Sequence, residues 1–241
     1  RRRRCRRRTR PEAKLAMAEE ILPQLQAVLA ESSDTNKKIE KYKAIQAAAL
    51  GAKSVAQLKA IAEHLASEAV PLVVARQVLQ ELTLALGSLA PADLKELGLF
   101  TIERVHPRGA SFEEQSSTIR ERLAEVYEAE EDWSAAAKML ASIPLDSGIR
   151  VLDDNYKVEK YIKIAMLYLQ DEEAVSAETY INRASLLITE DTVISNALRL
   201  QHKAALPRAA PPSRPHPPTH THPRACAHST PPAARSPRPD P

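Results

Sequence analysis

The spacing of small and bulky apolar residues between positions 123 and 181 constrains this chain more than any other feature. Leu123, Ala124, Tyr127, Ala136 and Leu140 recur 41 positions later as Ile164, Ala165, Tyr168, Ala177 and Ile181. In each unit a large residue stands beside an alanine, a tyrosine follows three places on, and a second alanine comes nine further. Three- and four-residue spacing is the mark of one buried helical face. Alanines permit two helices to approach, and the larger side chains fill the space beside them. Each unit therefore predicts an αα-hairpin, and the repetition predicts that hairpins nest on one another.

The unit is similar to a tetratricopeptide-type helical pair, although its period exceeds the usual length of about 34 residues. The excess falls around Ile143-Pro-Leu-Asp-Ser-Gly148, which predicts a longer connection between units. The first unit opens at Ser111-Phe-Glu-Glu114. There Ser111 is expected to cap the free backbone N–H groups while Glu114 reaches back in a capping box. Ile119, Leu123 and Val126–Tyr127 follow on one stripe; Glu130-Glu131-Asp132 interrupts it; Trp133 through Leu140 supplies the partner helix.

Upstream the same periodicity predicts five more helices. Ile21, Leu25 and Leu29 mark the first, with Pro23 as a bend. Ile39, Tyr42, Ile45 and Ala49 line the second, after polar SSDT suited to a cap and before Gly51 as a stop. Leu58, Ile61 and Leu65 give the third, and Val74, Val78 and Leu82 a fourth entered at Pro71. Leu94, Leu97 and Val105 outline a fifth, closed at His106–Pro107.

The predicted fold class is all-α, a right-handed stack of antiparallel helical hairpins (a tetratricopeptide-like α-solenoid) with disordered termini. Only 5 Gly and an abundance of Ala and Leu agree with helices rather than strands. Each large apolar side chain buried contributes on the order of 1.5–3 kcal/mol, and a few per hairpin offset chain ordering. A lone hairpin would expose its apolar face, so the units stack into an extended array whose outer and concave surfaces suit protein binding.

Charge divides the chain into three parts. Residues 1–10 carry eight Arg and no acid, and residues 203–241 carry six Lys or Arg against Asp240. The formal net charge is +3, so the intervening residues are acidic, near −10. An acidic core does not neutralise phosphates, which argues against nucleic-acid binding by the folded part and leaves salt-sensitive attraction by the basic ends. The expected organisation is an Arg-rich extension over 1–16, a helical-repeat scaffold over 17–202 and a Pro-rich tail over 203–241. Residues 207–241 hold 12 of the 18 Pro, too many to sustain helices. PxxP spacing at Pro212–Pro215 and Pro215–Pro218 is the spacing of an extended groove ligand, and it arises readily by chance in such a segment. No window of 18 apolar residues is free of charge, so no membrane span and no membrane partner are expected.

Chemistry-bearing residues are sparse. Cys5 and Cys226 lie one in each terminus and cannot frame a fold, which favours a reducing compartment. His216, His220, His222 and His228 lack a framework to present a metal. His64 is expected on a helix surface and His106 at a helix end, where the dipole favours a cation. Tyr127 and Tyr168 are expected in the core, and Trp133 at the inter-hairpin edge. Glu113–Glu114, Glu128, Glu130–Glu131–Asp132 and Glu172–Glu173 read as a solvated acidic face rather than paired acid–base catalysts. Lys37, Lys38, Lys41, Lys43 and Lys53 read as a solvated basic one. No HExxH, GxGxxG or GxxxxGK occurs. The expectation is a non-enzyme with no catalytic, cofactor-binding or metal residues, no cofactor and no small-molecule substrate.

The segments SFEEQSSTIRERLAEVYEAEEDWSAAAKMLASIPLDSG and DNYKVEKYIKIAMLYLQDEEAVSAETYINRASLL resemble the subunit 4 family of the COP9 signalosome. The resemblance is most specific at Ser111–Gln115, Ile143–Gly148, Tyr156–Lys157, Glu159, Tyr161, Lys163–Ala165 and Tyr180–Ser185, and extends from about Met17 to Leu200. It implies a non-catalytic scaffold subunit, in the nucleus and cytoplasm, of the complex that removes NEDD8 from cullins. Implied partners are other signalosome subunits and cullin–RING ligase components. The alternatives are a proteasome-lid scaffold subunit of the same helical class, or a basic-tailed nucleic-acid-binding protein. Family members continue for about as many residues again, through a winged-helix PCI module and a terminal helix. Here the resemblance stops near Leu200, and both ends read as sequence outside the normal reading frame.

Overall fold

A computed structural model of the chain describes residues 21–31, 34–146, 150–188 and 195–209. Within them the fold is all-α, with no strand. The helices are α1 over residues 21–30, α2 (Thr35–Gly51), α3 (Val55–Ala66), α4 (Leu72–Ala85), α5 (Pro91–Val105), α6 (Glu113–Ala129), α7 (Trp133–Ala141), α8 (Asp154–Gln170), α9 (Ala174–Leu187) and α10 (Asn196–Ala209). Short 3₁₀ segments lie at Leu86–Ser88 and His106–Ser111. Helix α10 continues past Lys203, where the tail was expected to begin.

Packing follows hairpin logic. Sequence neighbours pair closely as α6 with α7 and α8 with α9, and alternate helices also meet: α2 with α4, α3 with α5, α4 with α6, and α8 with α10. The predicted apolar stripes are the buried ones. Leu25, Leu58, Ile61, Leu65, Val74, Val78 and Leu97 are all fully enclosed. Two core clusters result, and α6 is their shared wall: Leu123 faces the one built from α1–α6, while its neighbour Ala124 faces the one built from α6–α10. Consecutive helical residues point about 100° apart, so one helix can serve both (3.6 residues per turn). Gly98 on α5 permits the crossing with α6, because a Cβ there would meet Leu123 Cδ2 at 3.1 Å.

Two local expectations are corrected. The capping box at Ser111 and Glu114 does not form. Helix α6 starts at Glu113 with Phe112 at its N-cap and no side-chain cap hydrogen bond. The cause lies in the preceding 3₁₀ segment, which is pinned by two arginines. Arg76 Nε donates to the Ser111 carbonyl at 2.6 Å, and Arg108 Nη1 donates to the Ser67 carbonyl at 2.7 Å, covering the open C-terminal end of α3. Phe112, wholly buried, then enters the core in the position where a polar cap was expected.

Helix α2 ends at Gly51 as expected, but the left-handed residue that closes it is Lys53, with φ 47°. Its N–H reaches the Leu50 carbonyl and the Ser54 N–H the Ala49 carbonyl, the two bonds of a Schellman cap. Asp34 occupies the N-cap of α2 without a side-chain cap hydrogen bond.

Candidate functional site

The two nested hairpins, α6–α7 and α8–α9, bring together most of the residues singled out from sequence. Ala124, Ala136, Ala165 and Ala177 are completely buried, and Leu123, Ile164, Leu140 and Ile181 lie beside them in the core. The equivalence extends into the turns. Glu131 and Glu172 both adopt φ 61°. The Asp132 N–H donates to the Tyr127 carbonyl at 2.9 Å, and the Glu173 N–H donates to the Tyr168 carbonyl at 2.9 Å. Asp132 then caps α7, its Oδ1 accepting from the Ala135 N–H at 3.1 Å.

The tyrosine rings diverge. Tyr168 is buried and stacks on Tyr180, with centroids 5.9 Å apart. Tyr127 is half-buried, touches both core clusters, and lies beneath the Lys95 ammonium at 4.6 Å. Trp133 is half-buried against the second cluster, at the edge where it was expected. The connection between hairpins is anchored rather than loose, since Ile143 and Leu145 both insert into that cluster.

A polar seam joins α6 to α8. Glu121 Oε1 accepts from the Tyr156 hydroxyl at 2.5 Å and pairs with Lys160 Nζ at 2.8 Å, and Glu128 pairs with Lys163 at 3.0 Å. Burial, reinforced by the Glu121 carboxylate, pushes the Tyr156 phenol well above its ordinary value. The phenol therefore stays protonated and donating. Tyr156 and Lys163 belong to the motifs that carried the resemblance, and the geometry gives them a job: they lock the second hairpin onto the first.

Other expected residues fall as follows. His64 is corrected from a surface residue to a half-buried one: its Nε2 is 3.1 Å from the Tyr42 hydroxyl, whose other contact is the Leu25 carbonyl at 3.3 Å. Burial lowers its pKa below the ordinary 6.5. His106 is exposed at the end of α5, as expected. Glu113 is corrected from a wet helix start to a buried position. Glu114, Glu130, Glu131, Asp132, Glu172 and Glu173 are exposed, and Glu130 is bound to Lys95. The lysine cluster is engaged within the chain: Lys43 with Glu81 at 2.8 Å, Lys41 with Glu31, and Lys38 with the Leu29 carbonyl at 3.1 Å. Cys5, Cys226, the PxxP spacings and the histidines from 216 to 228 lie outside the described residues.

Among the described residues no three His, Cys, Asp or Glu side chains converge on a common point, and no helix is long and apolar enough to cross a membrane. Glu121 and Glu128 on α6 face Lys160 and Lys163 on α8 and so hold the two helices together. The outer surface carries isolated apolar side chains. Val175 and Leu186 on α9, and Val73 and Leu84 on α4, are each eleven residues apart and so share one face of their helix.

The family model described as PSMD12/CSN4, N-terminal, matches residues 17–210. COP9 signalosome complex subunit 4 of Arabidopsis thaliana is 46% identical over 175 residues, which is 73% of this chain and 44% of that protein. The Dictyostelium discoideum subunit 4 is 45% identical over 177 residues, again 73% and 44%, and the Drosophila melanogaster protein is 43% identical over 152 residues. The chain thus spans less than half the length of the curated relatives it matches. With the matched region coinciding with the helical stack, the chain belongs to the family of PSMD12/CSN4 N-terminal helical regions.

Proposed function

We propose that this chain works as a non-catalytic scaffold arm of a COP9 signalosome, holding other signalosome subunits and cullin–RING ligase components through protein–protein contacts. In this reading it supports removal of NEDD8 from cullins by chemistry located elsewhere, in the nucleus and cytoplasm. The observation that carries it is the 46% identity to a signalosome subunit 4 along the helical stack. The side-chain chemistry supports the same reading: Glu121 and Glu128 of α6 are spent on pairs with Lys160 and Lys163 of α8, and helical hairpins stacked in series present broad surfaces for partners.

A tagged full chain incubated with cell extract tests the proposal. Signalosome subunits or cullin–RING components are expected in the eluate above an untagged control. Recovery of proteasome lid subunits alone would replace this reading with the lid scaffold.

A further inference from the structure

Along the stack, the steps between alternate helices from α2 to α8 are bridged by polar side chains. Lys43 on α2 pairs with Glu81 on α4 at 2.8 Å, and Gln115 on α6 donates to Gln80 on α4 at 3.3 Å. Lys160 and Lys163 on α8 pair with Glu121 and Glu128 on α6. The step from α8 to α10 is tied where the two helices begin, the Ser195 N–H donating to Asn155 Oδ1 at 3.1 Å. Beyond that bond it opens into a cavity of about 490 Å³.

Ile162 and Met166 of α8 and Ala204 of α10 supply the apolar surface of this cavity, and Glu159, Lys163 and Gln201 its polar groups. All six belong to one of two helices, so the space is a groove between them rather than a hole closed on every side. From Glu159 to Met166 it follows α8 for about two turns, roughly 10 Å. Small-molecule sites enclose most of their ligand, whereas a groove of this form takes the apolar side chains that another helix presents at three- and four-residue spacing. Met166, flexible and half-buried, adapts to side chains of different shape.

Charge selects among such helices. Lys163 is neutralised by Glu128 at 3.0 Å. Glu159 is exposed and enters none of the ion pairs among the described residues. Lys203, about 200° round α10 from Gln201, lies on the far side of that helix. The groove therefore carries an unneutralised carboxylate, on a stretch of chain, residues 11–202, that is itself acidic. An apolar side chain flanked by cations is attracted by both features, and one flanked by carboxylates is repelled. We infer that the groove between α8 and α10 docks a basic amphipathic helix of a protein partner, with its apolar face on Ile162, Met166 and Ala204 and a lysine or arginine beside Glu159. The inference rests on the scaffold reading above and specifies the chemistry of one partner surface.

Met166 is one of 3 methionines, so a full chain labelled on its methionine methyl groups reports on the groove by NMR, with Met139 on α7 as an internal control. It is titrated with three synthetic peptides of equal length. One arranges leucines along one helical face and lysines along the other, the second has glutamate for each lysine, and the third scrambles the first so that no face is apolar. A saturable Met166 shift is expected with the first, about tenfold tighter than with the other two, while the Met139 signal stays in place. Ala204→Phe, which fills the groove from an exposed position, is expected to weaken the first peptide about tenfold. Glu159→Gln is expected to weaken it about twofold to fivefold at low salt, the worth of one exposed ion pair, and keeps the test open should the new ring disturb α10. No saturable Met166 shift, equal affinity for the three peptides, or undiminished binding to both variants overturns the groove, while the extract experiment judges the scaffold reading separately.

Discussion

Glu131 and Glu172, 41 residues apart, share the same left-handed backbone conformation, and each sits one residue before an N–H that closes onto the carbonyl of its hairpin's tyrosine. The repeat is thus one of backbone turns as well as of core side chains. A residue with a Cβ is strained in this conformation, whereas glycine is not.

Replacing either glutamate with glycine is expected to stabilise the fold by about 0.5–1 kcal/mol, the relief of strain being partly offset by the freer unfolded chain. Thermal melts of Glu131→Gly and Glu172→Gly measure this, and both midpoints are expected to rise. A fall in both would mean that the turns are not held left-handed.

Tyr168→Ala is expected to cost about 3–5 kcal/mol by leaving a cavity beside Tyr180 and the alanine seam. Tyr127→Ala, which truncates a half-buried ring, is expected to cost less. Chemical denaturation of the two variants distinguishes them, and an unchanged midpoint for Tyr168→Ala would place that ring outside the core.

Glu121 serves two partners on α8 at once, so Glu121→Ala leaves both the Tyr156 hydroxyl and the Lys160 ammonium without an acceptor in a partly buried seam. A loss of about 2–3 kcal/mol is expected, more than for an exposed ion pair. In a double-mutant cycle with Lys160→Ala the two losses are expected to be less than additive, because they remove one shared contact. Strict additivity would deny the contact.

The folded chain depresses the pKa of His64 by burial, and the unfolded chain binds its proton more readily. Stability from this site is present above the ordinary value of 6.5 and is lost as pH falls toward and through the folded-state value. Wild type is expected to lose stability below about pH 6.5 more steeply than His64→Gln. Parallel pH profiles for the two proteins would show that the ring is solvated.

Much of this was legible in the sequence because helical burial is periodic. The stripes through Leu58, Ile61 and Leu65, or through Ala136 and Leu140, needed only their own spacing to be recognised. The features that escaped depend on contacts between distant segments. Tyr42 lies 22 residues before His64, and only the packing of α2 on α3 brings them together. Ser111 is not at the cap position, because it ends a 3₁₀ segment tied to Arg76, 35 residues earlier, and Phe112 takes the N-cap of α6 instead. The left-handed turns gave no warning, since glycine is the usual signal and glutamate stands there instead.

On the proposed reading, this helical stack acts by holding other proteins. Sedimentation velocity with the purified chain and, separately, a purified signalosome assembly or cullin–RING ligase addresses it without the complexity of an extract. Comigration of the chain with one of these assemblies at micromolar concentration is the predicted result. A chain that sediments alone with both, yet comigrates with purified proteasome lid subunits, would contradict it.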